Sequence, residues 1–258
     1  QGAKPGKGGV LPGAKVTAEI AAIRGVPIGK DCISPATHSA FRDVDSLLDF
    51  VESIADATGL PVGIKSAVGE TGFWIELARQ MARSGRGVDY IQIDGVAFTR
   101  IYPYFVEHGL HEKIVFVGAG RLGFPQTVLL AFGVGCDMIA VAREAMLSIG
   151  CIQAQRCHTG FCPTGVATQN RWLMHGLDPT LKSARFANYV VTLRNDIMAL
   201  CRACGVAHPA SITLEHFEIL DGRFCSTAAR EVFGYADAAW SLPSAEDLAA
   251  LHEAISKP

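Results

Sequence analysis

Apolar positions along the middle of the chain fall in short runs that alternate with helical stretches. Four runs predict buried strands, because they are apolar throughout and are bounded by Gly or charged residues. They cover residues 61–68, 88–94, 113–118 and 138–142. Helical patterns cover residues 72–86, 126–132 and 144–147. Strands that alternate with helices indicate βα units and a parallel sheet.

The pattern changes on both sides of this region. The first 15 residues are rich in Gly, Pro and Lys, which predicts a loop. Residues 16–24 predict a short helix that Thr17 caps, and an amphipathic helix covers residues 45–58. A long helix is predicted over residues 182–204, and the tail after it contains two or three more.

Four βα units are half of a (β/α)8 barrel, which needs about 250 residues by itself. The four strands could form a small open sheet, or they could be strands 5–8 of a TIM-type barrel whose first half is absent from this chain. The chain begins with Gln rather than Met, which favours the second interpretation.

Composition narrows the class of protein. Hydrophobic residues make up 49% of the 258 residues and the net charge is -2, so a core can form and no basic surface for nucleic acid is indicated. Apolar runs are too short for a membrane span. Eight cysteines in an α/β chain suit a reducing compartment, and we expect a cytoplasmic protein.

Three of these cysteines carry the strongest chemical signal. Cys151, Cys157 and Cys162 form C-x5-C-x4-C directly before Pro163. Thiolates bind soft metals, and three ligands on one loop suit a three-iron cluster or a four-iron cluster with one open corner. A zinc ion with His158 as fourth ligand is an alternative, and three buried free thiols are another.

Long stretches of the chain resemble glutamate synthase. The sequence GCIQAQRCHTGFCPTGVATQ, residues 150–169, resembles the three-iron cluster loop of that family. QGAKPGKGGVLPGAKV at residues 1–16 is similar to its loop after the fourth barrel strand, and IRGVPIGKDCISPATH at residues 23–38 to the segment that follows. The resemblance covers residues 1–175, and we expect residues 176–258 to form a helical C-terminal extension like that of short stand-alone glutamate-synthase-like proteins.

The resemblance implies an FMN-binding barrel of which this chain contains the second half. It implies a 3Fe-4S cluster that passes electrons to the flavin from ferredoxin or an NAD(P)H-oxidising subunit. Ammonia would condense with 2-oxoglutarate, and reduced flavin would convert the resulting 2-iminoglutarate to L-glutamate. On this basis we expect an oxidoreductase of amino-acid biosynthesis.

The resemblance also assigns residues near the substrate and the flavin. Lys4 matches a family lysine beside the substrate, and Arg24 matches an arginine that holds the 2-oxoglutarate carboxylate. Val10 stands where the family has a substrate-contacting glutamine. Gln1 and Lys65 match positions at strand ends that face the isoalloxazine, where a cation stabilises the anionic reduced form.

A phosphate site for FMN is expected after the last two strands. Gly118, Gly120 and Arg121 follow the third visible strand, and Ala142 and Arg143 follow the fourth. Glycines at a strand end let backbone N–H groups approach a phosphate, and such sites commonly follow strands seven and eight of barrels.

One segment departs from the family pattern. A glycine-rich stretch lies beside the flavin after the sixth strand in the family, but this chain has Val96, Ala97 and Phe98 there. Bulky side chains at these positions could crowd the cofactor. An alternative function is therefore a noncatalytic iron–sulfur module that needs a partner to supply the other strands.

Overall fold

The computed structural model describes residues 9–35, 38–94, 96–220, 222, 225–238 and 244–256. Its contacts divide the chain into two compact units. The first unit contains residues 40–141 and 192–258, and the second contains residues 2–39 and 142–191. The predicted boundary at residue 175 rests on sequence resemblance and stays a prediction.

A four-stranded parallel sheet forms the centre of the first unit, in the order β3-β4-β5-β6. All four predicted strands are confirmed, with small shifts at their ends. The strands are β3 (Gly63–Ala67), β4 (Tyr90–Asp94), β5 (Val115–Ala119) and β6 (Met138–Ala140). The helices before and between them are α2 (Val44–Thr58), α3 (Gly72–Ser84), α4 (Tyr102–Glu107) and α5 (Pro125–Gly133).

The ends of these helices follow local sequence rules. At the start of α2, the Asp43 carboxylate accepts a hydrogen bond from the Ser46 N–H at 2.9 Å, and the Ser46 hydroxyl accepts one from the Asp43 N–H at 3.2 Å. This reciprocal pair is a capping box. Gly59 ends α2 and Gly85 ends α3, both in the left-handed conformation that glycine adopts without strain.

The strand register separates two faces of the sheet. Ile91 lies beside Phe116 on β5, and both are fully buried in a core that includes Leu48 of α2 and Leu77 of α3. Alternate residues of a strand point to opposite faces. The helices therefore cover the face that carries Ile91 and Phe116.

The opposite face is much more exposed. Tyr90, Val115 and Met138 lie there with exposed fractions of 39%, 40% and 57%. Purely parallel sheets normally have both faces covered. Because β3 and β6 also form the two edges of this sheet, the described part of the chain leaves an apolar sheet face and two sheet edges available.

Phe98 does not lie on this exposed face. Its side chain is 3% exposed, and its ring packs 5.5 Å from that of Phe116 and 4.9 Å from that of Tyr102. Phe116 points toward the helices, so Phe98 belongs to the same core. Its ring fills the space between the sheet and its helices, and the expectation that residues 96–98 crowd the cofactor stays a prediction.

The first unit ends in a short hairpin and two helices, and residues of the hairpin and of the first of these helices pack against the core. An antiparallel hairpin joins β7 (Glu218–Leu220) to β8 (Ser226–Ala228), and α9 (Ala229–Val232) and α10 (Ala245–Ser256) follow. Tyr235 is 1% exposed, and its hydroxyl donates to the carbonyl of Val134 at 3.2 Å. None of the helices in the described ranges has the length and apolar character that a membrane span requires.

The second unit is built from shorter elements. A two-residue antiparallel pair joins β1 (Val10–Leu11) to β2 (Cys32–Ile33), with α1 (Ala18–Arg24) between them. Thr17 caps α1 as predicted, since its hydroxyl accepts a hydrogen bond from the Ile20 N–H at 3.3 Å. The cysteine-rich stretch lies between α6 (Arg143–Ser148) and α7 (Arg171–Met174), and the unit boundary falls inside α8 (Pro179–Ala203).

Candidate functional site

The three predicted ligand cysteines of the second unit meet at one small cavity. Cys151, Cys157 and Cys162 all line this space, which we call the cysteine cavity. Its remaining lining is Ile152, Ala154, Gln155, Arg156, Pro163 and Thr164. One cavity is thus lined by three cysteines that the sequence separates by intervals of five and four residues.

The backbone bends sharply to bring them together. Gln153 and Gln155 both have a φ of 55°, in the left-handed region that non-glycine residues avoid at a cost of roughly 1–2 kcal/mol each. The N–H of Gln153 donates to the Cys151 sulfur at 3.4 Å. Strained backbone of this kind concentrates at functional sites. At Gln153 the left-handed conformation accompanies a hydrogen bond from its amide to the Cys151 sulfur, a candidate ligand atom.

Cys162 has the most developed environment of the three. Its side chain is 7% exposed, and burial raises its pKa. This effect is outweighed by hydrogen bonds from the Thr164 hydroxyl and from the backbone N–H groups of Ala167, Thr164 and Val166, which together lower the pKa of Cys162 to about 7. The hydroxyl oxygen of Thr164 lies 3.5 Å from the sulfur. A thiolate is the form that binds metal, so this cysteine is prepared for coordination at neutral pH.

Cys157 is the exposed member of the set. It opens a short 3-10 turn, Cys157–Thr159, which Gly160 ends in the left-handed conformation. The backbone carbonyl of Cys157 accepts a hydrogen bond from the Lys15 ammonium. A lysine from the first part of the chain therefore contacts the backbone of a candidate ligand.

The distribution of these side chains bears on the kind of metal group they fit. Among the residues that the structure describes, no three His, Cys, Asp or Glu side chains are arranged to hold a single metal ion. A structural zinc needs four ligands that converge on one ion. The ligands of an iron–sulfur cluster are distributed around several iron atoms. The cysteines line one cavity without forming a set that converges on one ion, and the cluster stays a prediction that rests on the family resemblance.

The predicted flavin residues of the first unit lie on different faces. The register pairs Lys65 with Gln92, and the neighbours of Gln92 along β4 point into the core. Lys65 therefore lies on the opposite, open face of the sheet, where it is exposed. Gly118 belongs to the covered face. A Cβ atom at Gly118 would stand 2.8 Å from the sulfur of Cys136, so this glycine leaves room for the side chain of the turn between α5 and β6.

The loop after β5 encloses an apolar cavity that sequence reasoning missed. Gly120 and Arg121 adopt left-handed conformations, with φ of 105° and 59°. The cavity has a volume of about 220 Å³ and is lined mainly by hydrophobic residues. The lining comprises Phe98, Thr99, Gly118, Ala119, Gly120, Arg121, Leu122, Thr127, Leu130, Ala131, Val134, Cys136 and Phe233. Its apolar walls do not suit a phosphate inside it, so the exposed guanidinium of Arg121 is the part of this loop with the chemistry to hold one.

Three further predicted residues, Arg24, Ala142 and Arg143, belong to the second unit. Arg24 is the last residue of α1 and is exposed. Ala142 and Arg143, both exposed, begin α6. Gln1 and Lys4 lie outside the described residues. The roles of all these residues stay predictions.

Two residues that contact the cysteines of this loop were missed from the sequence. Thr164 stands two residues after a cysteine, which is the spacing of a local side-chain hydrogen bond and could have been recognised. Lys15 had no such signal, because its partner is 142 residues away.

The fold defines an α/β protein with a parallel four-stranded sheet, and its cysteine-rich loop lines one small cavity. A family model described as "conserved region in glutamate synthase" matches residues 1–99 and 96–207. The chain belongs to the glutamate synthase family.

Curated relatives agree with this assignment. The chain is 35% identical over 237 residues to the glutamate synthase large subunit-like protein YerD of Bacillus subtilis, covering 84% of this chain and 45% of YerD. It is 34% identical to the archaeal glutamate synthase (NADPH) of Methanocaldococcus jannaschii, with shares of 80% and 44%. It is 30% identical to the ferredoxin-dependent glutamate synthase of Cyanidium caldarium, with shares of 80% and 14%. The chain therefore spans less than half the length of these relatives.

Proposed function

We propose that this chain is the cluster-bearing part of an oxidoreductase that reduces 2-iminoglutarate, formed from 2-oxoglutarate and ammonia, to L-glutamate. The observation that carries the proposal is the cysteine cavity, which three cysteines line and where two of their sulfurs accept hydrogen bonds. Membership of the glutamate synthase family supports the reaction type. When bound, FMN would supply a hydride and a 3Fe-4S cluster would supply single electrons.

The chain's own residues would bind and orient these groups. The thiolates of Cys151, Cys157 and Cys162 would hold the cluster, and the amides near Cys162 would stabilise its negative sulfur. The guanidinium of Arg24 would bind a substrate carboxylate through its planar fork, with Lys4 as a second cation.

Flavin binding would use residues from several strand ends. The Lys65 ammonium would stabilise negative charge on reduced flavin, and Gln1 would face the ring. Arg121 and Arg143 would neutralise the phosphate, next to backbone N–H groups from Gly120 and Ala142. Gly118 would serve the same site by allowing β5 to pack closely.

We also propose that the four-stranded sheet is half of a (β/α)8 barrel. The sheet is parallel, one of its faces is largely exposed, and it ends in two available edges. The barrel interior is normally filled by side chains from all strands, and exposed residues such as Met138 are ready to take part in such packing. The relatives' greater length is sufficient for the remaining strands.

The proposal also includes an electron donor and a compartment. The printed names of two relatives mention NADPH and ferredoxin, so either donor suits this chain. All eight cysteines are free thiols, which supports a reducing, cytoplasmic setting.

A second candidate is a noncatalytic iron–sulfur module that acts with a partner. The exposed apolar sheet face favours it, since a partner could cover that face without providing a catalytic site. Val10 also favours this second candidate. It stands where the family has glutamine, and valine cannot hydrogen-bond a substrate.

The test compares cofactor content in the purified protein and in two cysteine variants. The proposal predicts iron, sulfide and flavin in the parent protein. Cys157→Ser should lose the iron and keep the flavin, whereas Cys225→Ser, which changes an exposed cysteine outside the cysteine cavity, should keep both. Iron without flavin would favour the noncatalytic module. Unchanged iron in Cys157→Ser would contradict the cluster assignment.

A further inference from the structure

Lys15 links two segments of the second unit that are far apart in sequence. It ends the 3-10 turn Gly13–Lys15 and is half-buried. Its ammonium donates to the carbonyl of Cys157, and its Cε atom lies 4.0 Å from the position that a Cβ atom would take on Gly160. The Lys15 side chain therefore lies along the turn of the cysteine loop formed by residues 157–160.

The segment that carries Lys15 is internally braced. The N–H of Gly13 donates to the carboxylate of Asp31 at 2.6 Å, and the N–H of Gly29 donates to the carbonyl of Val16 at 3.2 Å. A Cβ atom at Gly13 would stand 2.3 Å from the carbonyl oxygen of Gly29, so the backbones are in close contact. A displacement of Lys15 would therefore move the segment as a whole.

This segment leads directly to a predicted substrate residue. Thr17 caps α1, and α1 ends at Arg24. A capped helix of two turns transmits position with little bending, because its backbone hydrogen bonds fix every residue. The Lys15 contact thus lies between the cysteine loop and the arginine that we propose binds the substrate carboxylate.

The charge of Lys15 has a consequence of its own. An ammonium beside the backbone of a cysteine ligand favours additional negative charge at that ligand, and net charge and hydrogen bonding set the reduction potential of iron–sulfur clusters. A lysine held at this point would make the cluster easier to reduce. The ordinary alternative, a solvated surface lysine, would neither be half-buried nor bonded to a carbonyl of the cysteine loop.

We propose that Lys15 is a positioning residue that fastens the segment of Arg24 to the cysteine loop and raises the reduction potential of the cluster. The part that concerns the potential rests on the proposed function. The fastening does not, because it is a contact of the protein chain alone. The two parts can therefore be tested separately.

The first experiment measures hydrogen–deuterium exchange in metal-free protein. Lys15→Met removes the donor and keeps the aliphatic stem, so the amides of residues 157–161 should exchange roughly threefold to tenfold faster, as expected for one lost charged hydrogen bond at a partly exposed site. Lys15→Arg should exchange like the parent. Lys30→Met removes an exposed lysine of the same segment and is the matched control. Parent-like exchange in Lys15→Met would overturn the fastening.

The second experiment follows the cluster potential in iron-loaded protein by electron paramagnetic resonance during a redox titration. The potential should become more negative in Lys15→Met, should return toward the parent value in Lys15→Arg, and should be unaffected in Lys30→Met. An unchanged potential in Lys15→Met would overturn the electrostatic part. A parent protein without a cluster would overturn the proposed function together with that part, while the exchange experiment would still decide the fastening.

Discussion

The hydroxyl of Thr164 offers a sharp test of how the loop prepares Cys162. It lies 3.5 Å from the sulfur and is the largest of the four hydrogen-bonding contributions that lower the pKa of Cys162 from 9.0 to about 7. Thr164→Val keeps the side-chain shape and removes the donor. If the four hydrogen bonds lower the pKa of Cys162 equally, each accounts for a decrease of roughly 0.5, so the pKa of Cys162 in the variant should rise by about 0.5 or more.

The magnitude can be read as a thiolate fraction. At pH 7 a thiol with a pKa of about 7 is about half ionised, and a rise of roughly half a unit reduces that fraction to about a quarter. In metal-free protein, the rate of iodoacetamide alkylation at Cys162 should fall about twofold at pH 7, with its titration midpoint moved to higher pH. Peptide mass spectrometry assigns the alkylation to this cysteine.

The control and the contrary result are both specific. Thr180→Val makes the same chemical change at an exposed position at the start of α8 and should leave the titration of Cys162 unchanged. A parent midpoint near 9.0, or a Thr164→Val midpoint equal to that of the parent, would refute the reasoning. Either result would mean that the hydrogen bonds do not offset the burial of the sulfur.

Three further predictions concern stability. Gly165→Ala should destabilise the protein by about 2 kcal/mol or more in urea unfolding, because its φ is 76° and the new Cβ atom would stand 2.1 Å from the Leu173 carbonyl oxygen. Gly205→Ala is the control, since Gly205 also has a φ of 76° but has open space around it, and it should cost only about 1 kcal/mol. Equal costs would refute the steric argument. Tyr235→Phe should cost about 1 kcal/mol by leaving the buried Val134 carbonyl without its donor, and no loss in urea unfolding would contradict that role. Because the folded-state pKa of Cys162 is lowered, the unfolded state binds more protons than the folded state between about pH 7 and 9. Metal-free protein should therefore gain thermal stability as the pH rises through this window. A gain that persists in Cys162→Ser would contradict the assignment to Cys162.

The sheet could be predicted from the sequence because its signal is local. Strands buried on a packed face are continuous apolar runs, and these identified β3 to β6. Their ends were less predictable, as at Lys113 and Ile114, whose N–H groups bond back to the Leu110 carbonyl and so belong to a turn rather than to β5. The helix α4 was missed because it is short and begins beside Pro103.

Contacts between distant segments could not be predicted in the same way. The pairing of Val10 with Ile33 joins two-residue strands without a periodic pattern. The cysteines were identified because thiolates at close spacing have few other uses, but the Lys15 contact depends on tertiary structure. The core position of Phe98 was also decided by packing, since the sequence shows only a bulky residue after a strand.

Iron anomalous scattering from crystals of the iron-loaded protein tests the central claim most directly. The account predicts iron density in the cysteine cavity, with separate iron atoms within bonding distance of the sulfurs of Cys151, Cys157 and Cys162. A single metal ion, or iron density away from these three sulfurs, would contradict it.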